Sequence, residues 1–274
     1  MKQPTARQLW SAVLDDRLHG ASVLIADLLR IAAEIEDVDA ASLLSELASE
    51  VKETHPGIPA LLNTVQLLQE TLAQTGNLAS AAHALSTHIE ADRAKVVERA
   101  RKLIVERPAV MSISYSGMVR DAVLEAKRAA AGFSFLIGEG RPRNEGLLLA
   151  RELASNGVDC TVFADLAFAQ FLPQVALVLV GADAVFSDSF INKTGTGVLL
   201  REARKAGKPT VLLYDFTKRV SDKDRPASLP LQAASEITGE DENALPNELT
   251  VVNQYFEKIP LDLIDHDLGS TETL

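Results

Sequence analysis

Pro108-Ala109-Val110-Met111-Ser112-Ile113-Ser114-Tyr115-Ser116-Gly117 is the stretch that decides the fold. Its first half is a short apolar run of the kind that a strand buried on both faces requires. Its second half is a hydroxyl-rich turn whose glycine opens a helical pattern. The same unit recurs downstream. Apolar runs at residues 110–114, 133–137, 160–163, 176–180 and 210–214 alternate with helical stretches at 117–131, 144–155 and 195–205. Strands separated by helices of crossover length predict a parallel α/β sheet with helices on both faces. Val110, Ile137, Val162, Val178 and Leu212 are expected to be closed to solvent within it.

Upstream the texture differs. Trp10 is the single aromatic residue before position 108, and apolar residues fall at helical spacing: Leu24, Leu28, Ile31 and Ile35, then Leu43, Leu44, Leu47 and Val51. His55-Pro56-Gly57 interrupts this pattern, and Gly76-Asn77 interrupts it again before one long helix over residues 78–106, capped by Asn77. The chain therefore divides into a helical domain over residues 1–107 and a parallel α/β domain over 108–274. Residues 218–247, with Pro226, Pro230 and Pro246, read as an extended surface excursion with no legible role.

Composition narrows the function classes. Hydrophobic residues make up 47% and charged residues 24% of the 274, which is enough apolar material to order most of the chain. A formal charge of −11 repels phosphate backbones and anionic membrane surfaces, so neither nucleic acid nor a membrane is an expected partner. Asp15 and Asp16 precede any long apolar run, so neither a signal peptide nor a membrane span is expected. Cys160 alone permits no intramolecular disulfide and no multi-cysteine metal site, and it fits a cytoplasmic location. Its place inside a strand makes it a small buried filler. His83 and His88 are five apart, off the spacing that puts two ligands on one helical face, and no cofactor is expected.

In a parallel sheet, ligands gather beyond the carboxyl ends of the strands. Four junctions stand there. Ser112 to Gly117 places Ser114 and Ser116 before a helix, either as an anion site or as an ordinary serine cap. Gly138-Glu139-Gly140-Arg141-Pro142 offers Arg141 to a phosphate or carboxylate. Gly181-Ala182-Asp183-Ala184-Val185 sets a carboxylate in apolar surroundings, which is costly without a task. Asn192-Lys193-Thr194-Gly195-Thr196-Gly197 has the glycines, hydroxyls and ammonium of a phosphate cradle, without P-loop spacing.

Taken together, GADAVFSDSFINKTGTG from Gly181 to Gly197, preceded by Arg141-Pro142-Arg143-Asn144-Glu145-Gly146, resembles the family that unites the initiation factor 2B alpha, beta and delta subunits with methylthioribose-1-phosphate isomerase and ribose-1,5-bisphosphate isomerase. His19-Gly20-Ala21-Ser22 is similar to that family's early glycine motif, and Asp215-Phe216-Thr217-Lys218 to its late strand-end motif. The resemblance implies a sugar-phosphate pocket between a helical and a Rossmann-like domain, and a homodimer or larger assembly. It also implies roles: Asp183 at the catalytic acid, Asn192 and Lys193 at the substrate-facing pair, Arg141 at the phosphate-facing arginine and Gly20 at the early glycine.

Three positions depart from the pattern. Ser114 stands where the family's catalytic cysteine would be, His19 precedes the early glycine in place of arginine, and Ile58 takes a second arginine's place. A thiol ionises near pH ~8.5, whereas an alkyl hydroxyl titrates far above it, so Ser114 does not replace the thiol as an acid/base group. The leading expectation is a sugar-phosphate or nucleotide-binding member of this family. The alternatives are an active aldose-ketose isomerase working through Asp183 and a non-catalytic regulatory subunit acting through protein partners.

Overall fold

The computed structural model describes residues 10–11, 13–15, 20–35, 39–129, 132–241 and 244–270, so His19 and Asp16 lie outside the described residues. Helix α1 (Ala21–Glu34) buries Leu24, Ile25, Leu28 and Ile31 along one stripe. Helix α2 (Ala40–Thr54) is capped by Asp39, whose carboxylate accepts from the Ser42 amide at 3.1 Å. Pro59 opens α3 (Pro59–Thr75), where its missing N–H leaves no bond unmade. That helix stops at Gly76, whose φ of +70° is the left-handed turn that favours glycine. Helix α4 (Leu78–Ile104) starts at Asn77, whose side chain accepts from the Ser80 amide at 2.9 Å, as the sequence predicts.

The long α4 joins two cores. Ala82, Leu85 and Ile89 pack with α1–α3, whereas Val96, Ala100 and Ile104 pack with the sheet domain. Asp92 and Arg93 lie between these two stretches.

The strands run β1 (Ala109–Ser112), β2 (Ser134–Gly138), β3 (Asp159–Phe163), β4 (Leu177–Gly181), β5 (Ala184–Val185) and β6 (Ser189–Lys193). They continue as β7 (Thr210–Leu213), β8 (Leu231–Gln232), β9 (Asn253–Gln254), β10 (Phe256–Pro260) and β11 (His266–Asp267). A six-stranded sheet has the order β11-β7-β4-β1-β2-β3, and every pair in it is parallel. Helices α5 (Gly117–Ala129) and α6 (Glu145–Ser155) cover one face with the end of α4, burying Val110, Phe135 and Leu179. The short α7 (Phe168–Phe171) and α8 (Thr196–Lys205) cover the other, burying Met111, Leu136 and Val178. The period-two alternation of a strand divides neighbouring residues between the two faces.

Four of the five expected core positions, Val110, Ile137, Val178 and Leu212, are fully buried. The fifth is corrected: Val162 is 37% exposed, because β3 is the edge strand of the sheet. Strand β1 also ends earlier than its apolar run, since Ser114 takes a left-handed φ of +60° and turns the chain out of the sheet. Two antiparallel pieces were not foreseen. Strands β10, β6 and β5 form one sheet and β8 with β9 another, because Ser189-Phe190-Ile191-Asn192-Lys193 is too polar to read as a buried strand. The final helix, α9 (Ser235–Thr238), lies within the proline-marked excursion.

Candidate functional site

From β1 the chain moves outward in one direction through β2 to β3, and β4 lies on the other side of β1. The sheet order therefore reverses between β1 and β4, and connections that diverge there leave a crevice at the carboxyl edge. Ser114 and Ser116 follow β1, and Asp183 follows β4. Here a cavity of about 1000 Å³ opens between the sheet domain and the helices. Gly20, Ser114, Ser116, Asp183, Asn192 and Lys193 all line it.

Glu145, the first residue of α6, is the hub of the polar floor. Its carboxylate meets the Lys193 ammonium at 2.8 Å, accepts from the Ser114 hydroxyl at 3.3 Å and accepts from the Tyr255 hydroxyl. Lys193 also stands 3.3 Å from the centre of the Tyr255 ring, where a cation is attracted by the ring's negative face. Burial lowers the pKa of Lys193, and the Glu145 charge opposes that shift. Asn192 donates its side-chain amide to the Thr196 hydroxyl at 3.1 Å.

A second network ties the helical half to the strand end after β7. The Asp92 carboxylate accepts from the Phe216 amide at 2.9 Å, and Arg93 reaches Asp121 at 2.8 Å and Asp215 at 3.3 Å. Asn63 of α3 donates to the Thr217 and Arg219 carbonyl oxygens at 2.8 and 3.2 Å. Lys218 ends this turn, 3% exposed, and its ammonium has no hydrogen-bond partner. Burial lowers its pKa, with Asp215 and Asp183 opposing. Burial likewise raises the Asp183 carboxyl to about 6, opposed by Lys218, assisted by Glu145 and opposed by Lys193. A carboxyl at about 6 exchanges a proton near neutral pH, which an ordinary surface aspartate does not.

A model of the initiation factor 2 subunit family matches residues 19–271. The chain belongs to that family. Among its relatives, the ribose 1,5-bisphosphate isomerase of Haloferax volcanii is 27% identical over 250 residues, covering 85% of this chain and 76% of that one. The translation initiation factor eIF2B subunit alpha of Caenorhabditis elegans is 28% identical over 248 residues, 89% of this chain and 75% of that one. Among solved structures, a translation initiation factor eIF-2B of Pyrococcus horikoshii superposes with a TM-score of 0.81 at 22% identity, covering 97% of this chain and 95% of that one.

Within this initiation factor 2 family chain, one expected site residue sits apart. Arg141 is exposed and does not line the cavity; its amide is held by Asp165, which follows the edge strand β3. Arg143, two residues on, does line it and pairs with Glu236 at 2.6 Å. At the last junction the amides of Gly195 and Gly197 donate to one Glu257 oxygen at 2.8 and 2.9 Å. Likewise the amides of Gly140 and Arg141 donate to Asp165 at 2.8 and 2.7 Å. Ser116 spends its hydroxyl as a cap, accepting from the Val119 amide at 3.3 Å.

Other lining residues were missed by the sequence reading. Arg93, Arg120 and Tyr255 come from helix faces and an irregular segment that show no motif, and Glu145 lies within the quoted family segment without a role assigned to it. The excursion read as surface supplies Pro230, Leu231 and Gln232 to the wall. Its position is fixed by the β8–β9 pair and by Asn253, whose side chain donates to Glu236 at 3.0 Å. Cys160 is half-buried on the edge strand, and burial pushes its thiol up to about 11. Among the described residues no His, Cys, Asp and Glu cluster fits a metal ion, and no helix is long and apolar enough to cross a membrane.

Proposed function

We propose that this chain binds a phosphorylated sugar or a nucleotide in the cavity at the β1/β4 carboxyl edge, and that Ser114 in place of a thiol makes it a binder before it is a catalyst. The observation that carries the reading is the meeting of Ser114, Asp183, Asn192 and Lys193, from three separate strand ends, on one cavity that Gly20 closes from the helical side. Arg120 and Arg143 line the same cavity and suit a phosphate. Val23, Ile25, Leu29, Ile58 and Ile89 give its helical wall an apolar character suited to the carbon face of a sugar or to a base. The relatives named as isomerase and as initiation factor subunit fit either a ligand-binding or an assembly role, and a homodimer or larger assembly belongs to the same proposal.

A thermal-shift screen of pentose phosphates and nucleotides tests it. A ligand at about a hundred times its dissociation constant stabilises the folded state by about 2.7 kcal/mol. No shift with any of them would overturn the reading.

One observation favours a second reading, an aldose-ketose isomerase. The Asp183 carboxyl at about 6 is poised to take the proton from the carbon beside an aldose carbonyl, giving an enediol, and to return it to the former carbonyl carbon as a hydroxyl proton passes from the second oxygen to the first. In that case Asp183→Asn abolishes turnover of a phosphorylated pentose and leaves the fold intact, because the amide keeps the shape without the exchangeable proton. Saturable binding without turnover supports the binder.

A further inference from the structure

Lys193, Ser114 and Tyr255 converge on one carboxylate of the protein itself, the two hydroxyls by hydrogen bonds and the buried ammonium by an ion pair in which it makes no hydrogen bond. Three donors from three elements, one of them a buried ammonium, make a built anion site. The other cations of the cavity are committed in the same way: Arg93 to Asp121 and Asp215, Arg120 to Asp121 and Glu152, Arg143 to Glu236. The carboxylates of the lining, Asp27, Glu53, Glu90, Glu145, Asp183 and Asp215, outnumber its Arg and Lys residues. Among the described lining residues every Arg and Lys already has an ion-pair partner.

We infer that Glu145 is the specificity-determining residue of this cavity, an internal competitor that holds the Lys193 anion site and is displaced by the phosphate of the ligand. This inference rests on the ligand reading above and adds how that site discriminates. Glu145 is the first residue of α6, so its side chain changes rotamer without disturbing the helix hydrogen bonds. Its displacement leaves Ser114, Tyr255 and Lys193 free to donate to the incoming anion. Until that exchange occurs, two like charges contend for one ammonium, a repulsion that is strong in a partly buried site. Phosphorylated ligands are therefore penalised relative to their neutral counterparts. A ligand must bring enough contact with the rest of the cavity to offset the exchange, which makes free phosphate a poor ligand and a phosphorylated sugar a better one.

The test is calorimetric titration of the full chain and its variants with ribose 5-phosphate, with ribose and with inorganic phosphate. Glu145→Gln keeps the shape and removes the charge. It should tighten ribose 5-phosphate binding by roughly tenfold or more, about 1.4 kcal/mol, and leave ribose unchanged. Adding Lys193→Ala should cancel that gain. Glu145→Ala should act in the same direction and serves if the glutamine variant folds poorly, which circular dichroism reports. Equal affinity of wild type and both Glu145 variants for ribose 5-phosphate overturns the inference while the ligand reading stands. An equal gain for ribose, or a gain that survives Lys193→Ala, overturns it as well. Failure of wild type and of both variants to bind any of the three probes overturns the inference, and the ligand reading falls with it when the screen of pentose phosphates and nucleotides gives no shift either. Binding by the variants alone supports the inference and shows how strongly Glu145 suppresses the site.

Discussion

The turn after β2 and the turns after β1 and β4 are built from similar residues and reach opposite ends. After β2, the amides of Gly140 and Arg141 are taken up by Asp165, and helix α6 is pressed so close to the strand that a Cβ at Gly146 would lie 1.8 Å from the Gly138 oxygen. That glycine turn is packed shut, and only the residues beyond it, Arg143 and Glu145, reach the cavity. After β1 and β4, Ser114 and Asp183 face a cavity, and the strand ends stand apart because their connections leave in opposite directions. Glycine and charge mark both places in the sequence. What separates them is the direction in which the chain leaves the sheet: Asp165 and α6 close the β2 turn, whereas the connections after β1 and β4 diverge.

The largest effect should come from forcing the closed turn open. Gly146→Ala puts a methyl group against the Gly138 carbonyl, where the backbone must move, and should cost more than about 3 kcal/mol or prevent folding. Denaturant unfolding measures it, and a cost below about 1 kcal/mol would show that the helix does not press on the strand.

On the open side the sign reverses. Asp183 has a folded pKa near 6, raised above the ordinary value of 3.8, so the folded state holds the proton more tightly and its stability falls as pH rises between those values. Asp183→Asn removes the half-buried charge and should stabilise the protein by on the order of 2 kcal/mol above pH ~6. That advantage should shrink as pH falls through 6 and vanish below about 3.8, a profile that unfolding curves at several pH values would reveal. A flat advantage across that window would contradict the raised pKa.

The turn after β6 provides a smaller test. Glu257→Gln weakens the bonds to the Gly195 and Gly197 amides and should cost about 1 kcal/mol. Because those amides belong to the structure and not to the ligand, affinity for a phosphorylated sugar should not improve. A gain would mean that the turn is a phosphate site in waiting. Smaller still is the contrast between neighbouring arginines: Arg143→Ala should weaken ligand binding, and Arg141→Ala should leave it within about twofold, since an exposed arginine outside the cavity has little to lose.

The sequence was most legible where local chemistry acts alone. Asn77 as a helix cap, the break at Gly76 and the buried runs of β1, β2, β4 and β7 depend on a few adjacent residues. The strand-end position of Ser114 and Asp183 follows from the same runs. Legibility failed where the answer lay far along the chain. Asp165, Glu257 and Glu145 each neutralise a group that looks free in its own neighbourhood, from 24 residues away at Arg141 to 62 at Gly195. Val162 reads as core for a related reason, since an edge strand and a central strand differ only in what lies beyond them. The excursion over 218–247 shows no pattern because it takes its place from β9 and Arg143 and not from a core of its own.

Amide hydrogen exchange of the full chain, with and without the pentose phosphate or nucleotide that gives the largest thermal shift, tests the contrast most directly. Binding at the switch between β1 and β4 predicts new protection at residues 113–120, 182–193 and 215–218, with the amides of Gly140, Arg141, Gly195 and Gly197 unchanged. Protection concentrated at those glycine turns, or no ligand-dependent protection along the β1 and β4 ends, would contradict the account.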